Sequence, residues 1–356
     1  MPFFRFEDLF KNLTPQVGID LGTSNTPIYL RGKGIVFIEP SFVARNNTTG
    51  KVIAVGEAAK KMHGRTPANI SVIRPLRDGV IANFEIAYEM MKHLLNKALP
   101  NRGLIKPRVI VGIPSDCTPV ERRAVEEAAI SAGGKQVVLA AQPLLAAIGA
   151  LLPVKEPLGS MIVDIGGGTT EIAIVALGGV VLSQSLRIAG DEMDEAIANY
   201  IKKNYNLIIG ERTAESVKIQ IGSAYPKKEE KSIEVRGRDV FSGLPRLQSI
   251  SSGDIRESIT EPVVAMIEAV RNSIERAPPE LVGDIMEHGI TISGGGSLLE
   301  GLDQLMQESI GVPCHRPTDP IFCVAMGAGM LFEDPELLKQ VASQRYSLWE
   351  QPVEVA

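Results

Sequence analysis

The sequence predicts an α/β protein of two similar lobes, and three observations lead there. The first is Val163-Asp164-Ile165-Gly166-Gly167-Gly168-Thr169-Thr170-Glu171, which follows the apolar Met161-Ile162. The second is a shorter copy about 144 residues earlier, Ile19-Asp20-Leu21-Gly22-Thr23-Ser24-Asn25-Thr26. The third is that each copy runs into another apolar strand, Ile28-Tyr29-Leu30 or Ile172-Ala173-Ile174-Val175. A repeat of domain size means two related halves facing a cleft, not a solenoid. At 356 residues the chain is long enough for two domains with sizeable cores.

The chemistry of the repeat is that of a phosphate turn. Glycine permits backbone angles closed to side chains and lets other atoms approach the main chain. A tight turn of this kind aims several N–H groups into one concavity, which suits phosphate. Asp164, at the strand's end, could hold magnesium against the same phosphates, directly or through water. A plain glycine-rich hairpin explains one copy equally well, but not two.

Composition excludes several classes. Hydrophobic residues at 44% and charged at 22% are ordinary for a globular protein. A net charge of -5 gives no support for nucleic-acid binding. No window is apolar and long enough to span a bilayer, and no signal peptide is visible. Cys117, Cys314 and Cys323 have no metal-ligand spacing and do not make a disulfide framework. A cytoplasmic protein without a zinc site or cysteine nucleophile is expected.

Taken in order, residues 1–13 form an amphipathic helical pattern. At 100° per residue Phe3, Phe6, Leu9, Phe10 and Leu13 fall within an arc of roughly 120°, opposite Arg5, Glu7, Asp8, Lys11 and Asn12. Such a face suits a membrane interface, or packing on the protein's own body or on a partner. Short strands follow to Ile38, with Pro27 early in one of them. Residues 39–71 read as a small inserted subdomain. A helix is expected over about Phe84–Leu99. The loop after it carries the apolar pair Leu104-Ile105 between cations, a candidate second membrane contact. A strand at Val109–Ile113, a helix over Pro119–Ala132, a strand at Gln136–Leu139 and a helix over Pro143–Leu151 complete the first half.

In the second half, a hairpin at Gly178-Gly179 leads to Gly190-Asp191, which open a helix to about Asn204. Thr213–Ala224 is expected to be helical, with Glu215, Lys218 and Ile219 on adjoining faces. Strands at Ile233–Val235 and Leu247–Ile250 precede a long helix capped by Asp254 and ending near Arg276. A strand at Ile290–Ser293 then meets Gly294-Gly295-Gly296-Ser297, read as the N-terminus of a helix to Ile310 that could hold a flat group or phosphate. Residues past about Arg345 read as a loose tail.

This set of three glycine clusters resembles the superfamily of actin, sugar kinases and DnaK-type chaperones. Within it, the chain is similar to the bacterial actin MreB family from about residue 17 to 335. The similarity rests on many spaced motifs: Asp20–Thr26, Gly64-Arg65-Thr66-Pro67, Ile73-Arg74-Pro75-Leu76, Asp78-Gly79-Val80, Val120-Glu121-Arg122-Arg123, Asp164–Glu171, Glu195-Ala196-Ile197, Ile221–Pro226, Glu234-Val235-Arg236-Gly237 and Gly294–Leu299. The resemblance implies an actin-like ATPase fold: two duplicated ribonuclease-H-like lobes, each with a smaller subdomain, around a nucleotide cleft. Lobe I would take residues 17–150 (small subdomain about 35–71) and 323–345. Lobe II would take 151–322 (small subdomain about 188–251), leaving 1–16 as a membrane segment and 346–356 as a tail.

By the same resemblance, Gly22, Thr23, Ser24 and Asn25 would cradle the phosphates of ATP from one lobe, and Gly166, Gly167, Gly168 and Thr169 from the other. Asp20 and Asp164 would organise magnesium. Gly294–Ser297, through Gly294, Gly295, Gly296 and Ser297, would back the adenosine, with Glu215, Lys218 and Ile219 opposite and Gly190 and Asp191 nearby. The implied role is an ATP-dependent filament of antiparallel protofilaments on the inner membrane face, guiding cell-wall synthesis. The helix over Pro119–Ala132 would lie between protofilaments. Implied partners are further copies of the chain, the membrane and elongation proteins such as RodZ, MreC and MreD. The alternative is a nucleotide-binding adaptor of a pilus or division apparatus that does not polymerise.

One position departs from the family. Its members typically carry two glutamates before the proline found here as Pro143, whereas this chain has Ala141-Gln142. The resemblance puts Gln142 at the γ-phosphate, orienting the attacking water with help from Thr169, while Asp164 serves the metal. A glutamine can hydrogen-bond water but cannot accept its proton, so slow hydrolysis is expected.

Overall fold

Two strands, each carrying an aspartate in its last two residues, stand at the centre of two sheets with the same strand order. The computed structural model describes residues 14–100 and 105–343. The N-terminal apolar face, Leu104 and the tail therefore lie outside the described residues. The chain divides into two compact units. Unit 1 holds the chain to Leu158, Val175–Val181 and the segment from Phe322, and unit 2 holds Gly159–Ile174 and Leu182–Ile321.

Strands of the first sheet are β1 (Gln16–Asp20), β2 (Asn25–Leu30), β3 (Gly34–Pro40), β9 (Arg108–Ile113) and β10 (Gln136–Ala141), in the order β10-β9-β1-β2-β3. Between them in sequence, β4 (Val43–Asn46), β5 (Val52–Val55) and β6 (Ile70–Ile73) form a small separate sheet with the helix Glu57–Met62. β7 (Leu76–Arg77) and β8 (Val80–Ile81) form a hairpin on Asp78-Gly79, both at positive φ, the two-residue turn that asparagine, aspartate and glycine favour. β9 lies parallel to β1 and to β10, while β1, β2 and β3 run antiparallel as a meander.

The second sheet uses β11 (Ser160–Ile165), β12 (Thr170–Ala176), β13 (Gly179–Leu186), β17 (Ile290–Ser293) and β18 (Cys314–His315), in the order β13-β12-β11-β17-β18. Reversed, it matches the first sheet strand for strand, with β11 in the place of β1 and β17 in that of β9. β14 (Leu207–Ile208), β15 (Ser232–Asp239) and β16 (Pro245–Ser251) make the small sheet of this half. The central strands read as unbroken apolar runs because both faces are covered.

Local chemistry sets the helix ends. Asn83 caps the helix Phe84–Ala98 by accepting from the Ile86 N–H at 3.0 Å. Thr118 and Glu121 form a reciprocal capping box ahead of the helix Pro119–Ser131. The single long helix expected after Asp254 is instead two, Ser252–Ser258 and Thr260–Glu275. Pro262 has no N–H for the carbonyl of Ser258, which breaks the run at Ile259. The cap is Ser251, and Asp254 is its box partner one turn on. The helix expected from Leu298 also differs. Gly295–Leu298 is a 3₁₀ turn, Gly301 takes φ 73°, and the α-helix begins only at Leu302.

The return segment Cys323–Leu331 locks unit 1 by backbone contact. It packs against the helix Gln142–Gly149, where a Cβ on Gly149 would overlap the carbonyl of Cys323, and one on Gly327 would overlap that of Leu145. On its other side Gly18 of β1 has room for no side chain, since a Cβ there would lie 3.0 Å from the Ala325 carbonyl. Close-packed interiors do not absorb such an atom without shifting the backbone. Gly149→Ala should therefore cost more than about 2 kcal/mol in urea unfolding. An unchanged midpoint would mean that the two helices can separate at no cost.

Candidate functional site

The two aspartate turns occupy matching places in their sheets but close with different hydrogen bonds. In unit 1, Asp20 ends β1, and the Gly22 N–H donates to the Asp20 carbonyl at 3.1 Å. In unit 2, Asp164 lies at the end of β11, and the Gly166 N–H donates to the Thr169 carbonyl at 2.8 Å. None of Gly22, Gly166, Gly167 and Gly168 is left-handed. Of the two reasons for glycine offered by the sequence, close approach is the one at work: a Cβ on Gly22 would overlap the Asn25 carbonyl, and one on Gly166 would sit 3.2 Å from that of Thr169.

Unit 1 holds its turn with groups the sequence reading missed. Thr23 is buried and its Oγ1 accepts from the Gly79 N–H at 2.9 Å, so the Asp78-Gly79 hairpin tip braces the turn. Ser41 donates through Oγ to the Gly22 carbonyl at 2.6 Å, and its N–H donates to Ser24 at 2.9 Å. Asn25 is exposed at the start of β2. Gln142 is buried at the N-terminus of its helix, and its Nε2 donates to Asp20 Oδ1 at 3.1 Å. It reaches Asp20 across β9, where the pairing residue is Gly112. A Cβ on Gly112 would stand 3.1 Å from Gln142 Cγ, so this glycine clears the path. The Asp20–Gln142 pairing leaves the carboxamide Oε1 as acceptor.

Unit 2 repeats the plan with different residues. Ser293 pairs in register with Asp164 and donates through Oγ to its Oδ1 at 2.6 Å. Asp164 is buried, and burial pushes its carboxyl up to about 6 against the lowering pull of that hydrogen bond. Thr169, five residues on, is buried, as is Gly168, while Gly167 is half-buried. The next helix, Gly190–Tyr205, is stitched to this turn: Gly190 N–H donates to Gly166 O at 3.2 Å and Asp191 N–H to Gly167 O at 2.7 Å.

Lys218, on the helix Glu211–Ile221, donates to Gly190 O at 2.6 Å and stands 2.9 Å from Asp194 Oδ1. Asp194 is buried, and desolvation outweighs Lys218 to push its carboxyl up to about 6. Glu215 is half-buried on the same helix, and Ile219 is 74% exposed, a large apolar side chain presented to solvent. In the Gly294–Ser297 turn, Gly294 and Gly296 are needed for contact with Ile165 of β11, whereas Gly295 faces open space. Ser297 is buried and turns its hydroxyl to Gly294 O at 2.7 Å.

Asp20 and Asp164 supply hard carboxylate oxygens, and a buried carboxylate whose charge is opposed by its surroundings is suited to a cation. Each aspartate, within its own unit, thus offers the oxygen chemistry that magnesium takes, and among the described residues no group of three or more histidine, cysteine, aspartate or glutamate side chains is placed to hold a metal ion. Ile105 of the expected membrane pair is exposed, and no helix among the described residues is long and apolar enough to cross a membrane.

Two sheets of one strand order, each with an aspartate-led turn closing its central strand, define an actin-like protein. The sequence pattern of the MreB/Mbl protein family matches residues 14–340. The chain is 49% identical over 323 residues to cell shape-determining protein Mbl of Bacillus subtilis (strain 168), covering 90% of this chain and 97% of that protein. It is also 49% identical over 334 residues to cell shape-determining protein MreB of Escherichia coli (strain K12), covering 92% and 95%. Among solved structures, MreB 5 of Spiroplasma citri bound to AMPPNP superposes with a TM-score of 0.87 at 37% identity, covering 93% of this chain and 98% of that one. The chain belongs to the MreB/Mbl family.

The raised carboxyl of Asp164 makes a sharp prediction. Lifting an aspartate from about 3.9 to about 6 on folding opposes folding by about 3 kcal/mol at neutral pH. That cost is present above pH about 6, and it fades to nothing below about 4, where the folded and unfolded states are both protonated. Asp164→Asn should therefore raise the thermal midpoint of the nucleotide-free protein at pH 7, and the gain should vanish towards pH 4. A gain of equal size at both pH values would show that desolvation is not its cause.

Proposed function

We propose that this chain is an ATP-dependent, membrane-associated filament protein that guides cell-wall synthesis and so determines cell shape. Family membership supports the class, and the matched aspartate turns carry the argument for ATP. The Gly22–Asn25 and Gly166–Thr169 turns offer the phosphates the main-chain N–H groups that they do not use themselves, those of Gly22 and Gly166 being taken by the carbonyls of Asp20 and Thr169. The exposed Ile219, with Glu215 and Lys218, and the open Gly295 lie against the adenosine. Magnesium held by Asp20 and Asp164 would neutralise phosphate charge when bound. The N-terminal apolar face, with Leu104-Ile105, attaches the filament to the inner membrane face, each copy weakly and many copies firmly. Further copies of the chain are the first partner, and RodZ, MreC and MreD follow from the resemblance.

Sedimentation and electron microscopy with lipid vesicles test the whole reading. ATP with magnesium should produce pelletable filaments, and deleting residues 2–13 should reduce vesicle co-sedimentation while sparing nucleotide binding. Monomers under every condition would favour the adaptor role instead.

Hydrolysis depends on Gln142. Its Nε2 is occupied by Asp20, so Oε1 is the atom that accepts a hydrogen bond from the attacking water. It positions that water without removing its proton. A glutamate at this place would stand beside Asp20, and adjacent carboxylates push one pKa upward, towards the range of an efficient general base. Gln142→Glu should speed phosphate release from filaments, with general-base help bounded at about 10²–10⁴-fold. A rate equal to or below wild type would remove proton acceptance from the account.

A further inference from the structure

The start of the helix Gly190–Tyr205 fastens two successive peptide groups of the Gly166–Thr169 turn. Gly190 N–H donates to Gly166 O at 3.2 Å, and Asp191 N–H donates to Gly167 O at 2.7 Å. A trans peptide, the form of every described one, is planar, with its C=O and N–H pointing in opposite directions. Holding the Gly166 and Gly167 carbonyls against the helix therefore turns the N–H groups of Gly167 and Gly168 away from it. Two successive N–H groups presented in this way suit an anion.

The same rule extends the series backwards. The Gly190–Asp191 peptide gives its N–H to Gly167, and its carbonyl accepts from Lys218 Nζ at 2.6 Å. The ammonium, two peptide groups and the Gly168 N–H thus stand in line, and each hydrogen bond polarises the next. A positive charge at the far end makes the Gly168 N–H a stronger donor without itself approaching a ligand. Gly190 has to be small for this. A Cβ there would stand 3.2 Å from Gly166 O and 3.4 Å from Lys218 Nζ, between the two groups that the series joins.

Asp194, one turn into the same helix, keeps the ammonium in place, with Oδ1 2.9 Å from Nζ. Both side chains are almost withdrawn from water. Burial, and the nearby charges of Glu215 and Asp191, oppose ionisation of the Asp194 carboxyl, and Lys218 favours it. A carboxylate kept where desolvation works against it points to use.

We infer that Asp194 is a positioning residue for the phosphates of the bound nucleotide, acting through Lys218 and the Gly190–Asp191 peptide on the Gly166–Thr169 turn. The inference rests on reading that turn as a phosphate site.

Calorimetric titration of the full-length protein with AMP, ADP and AMPPNP, each with magnesium, tests it. Asp194→Asn keeps the size of the side chain and removes its charge, so the thermal midpoint should be kept or raised. Affinity for AMPPNP should fall by about tenfold, the usual contribution of one hydrogen bond to a charged group. The loss should grow from AMP to AMPPNP as phosphates are added. Lys218→Met should weaken AMPPNP binding too, and adding Asp194→Asn to it should lose nothing further, because the two residues act in series. Equal losses for all three nucleotides would mean a general loosening of unit 2 and would overturn the inference. An Asp194→Asn affinity for AMPPNP at or above wild type overturns it as well, as do losses that multiply in the double variant. Wild-type protein that binds none of the three would remove the ATP reading itself, and this inference with it.

Discussion

The carboxyl ends of parallel strands are where this fold brings its chemistry together. In unit 1, β1, β9 and β10 run the same way, so Asp20 and Gln142 emerge at one edge of the sheet with Gly112 between them. In unit 2, β11 and β17 do likewise and deliver Asp164 beside Ser293. Ligands of open α/β sheets collect at that edge because loops there converge while the strands stay fixed. The aspartates, the glycine turns and the capping helices all depend on this shared direction.

Duplication has kept the plan and changed the electrostatics. Asp20 is partly exposed and takes a neutral carboxamide as its neighbour. Asp164 is buried and takes a single hydroxyl, which does not offset its desolvation. The two carboxylates thus differ in burial and in partner, although their turns match in position.

Much of this was legible in the sequence because it is local. An aspartate before glycines announces itself within a few residues; the Thr118–Glu121 box and the Asp78-Gly79 turn are just as local, although neither was picked out from the sequence. What stayed hidden depends on register between distant strands. Gly112 looks like any strand glycine until β9 is placed between Asp20 and Gln142. Ser293 gains meaning only opposite Asp164, and Asp194 only once two helices cross at Lys218. The break at Ile259 was readable from Pro262, but the periodicity of the apolar residues on both sides concealed it. The spacing of Gly294 and Gly296 reads as a ligand loop, and what stayed hidden is that both glycines also accommodate Ile165 of their own unit.

The glycine contact between the helix Gln142–Gly149 and the return segment has a mechanical consequence. Backbones that touch through Gly149 and Gly327 leave no side chains between them to yield. The helix carries Gln142 at one end and leads into the left-handed Leu151 at the other, about 12 Å away. A body held this tightly moves as a rod. Any rotation that moves Gln142 must therefore carry Leu151 with it, so the buried carboxamide at one end and the exposed leucine at the other are two ends of a single lever.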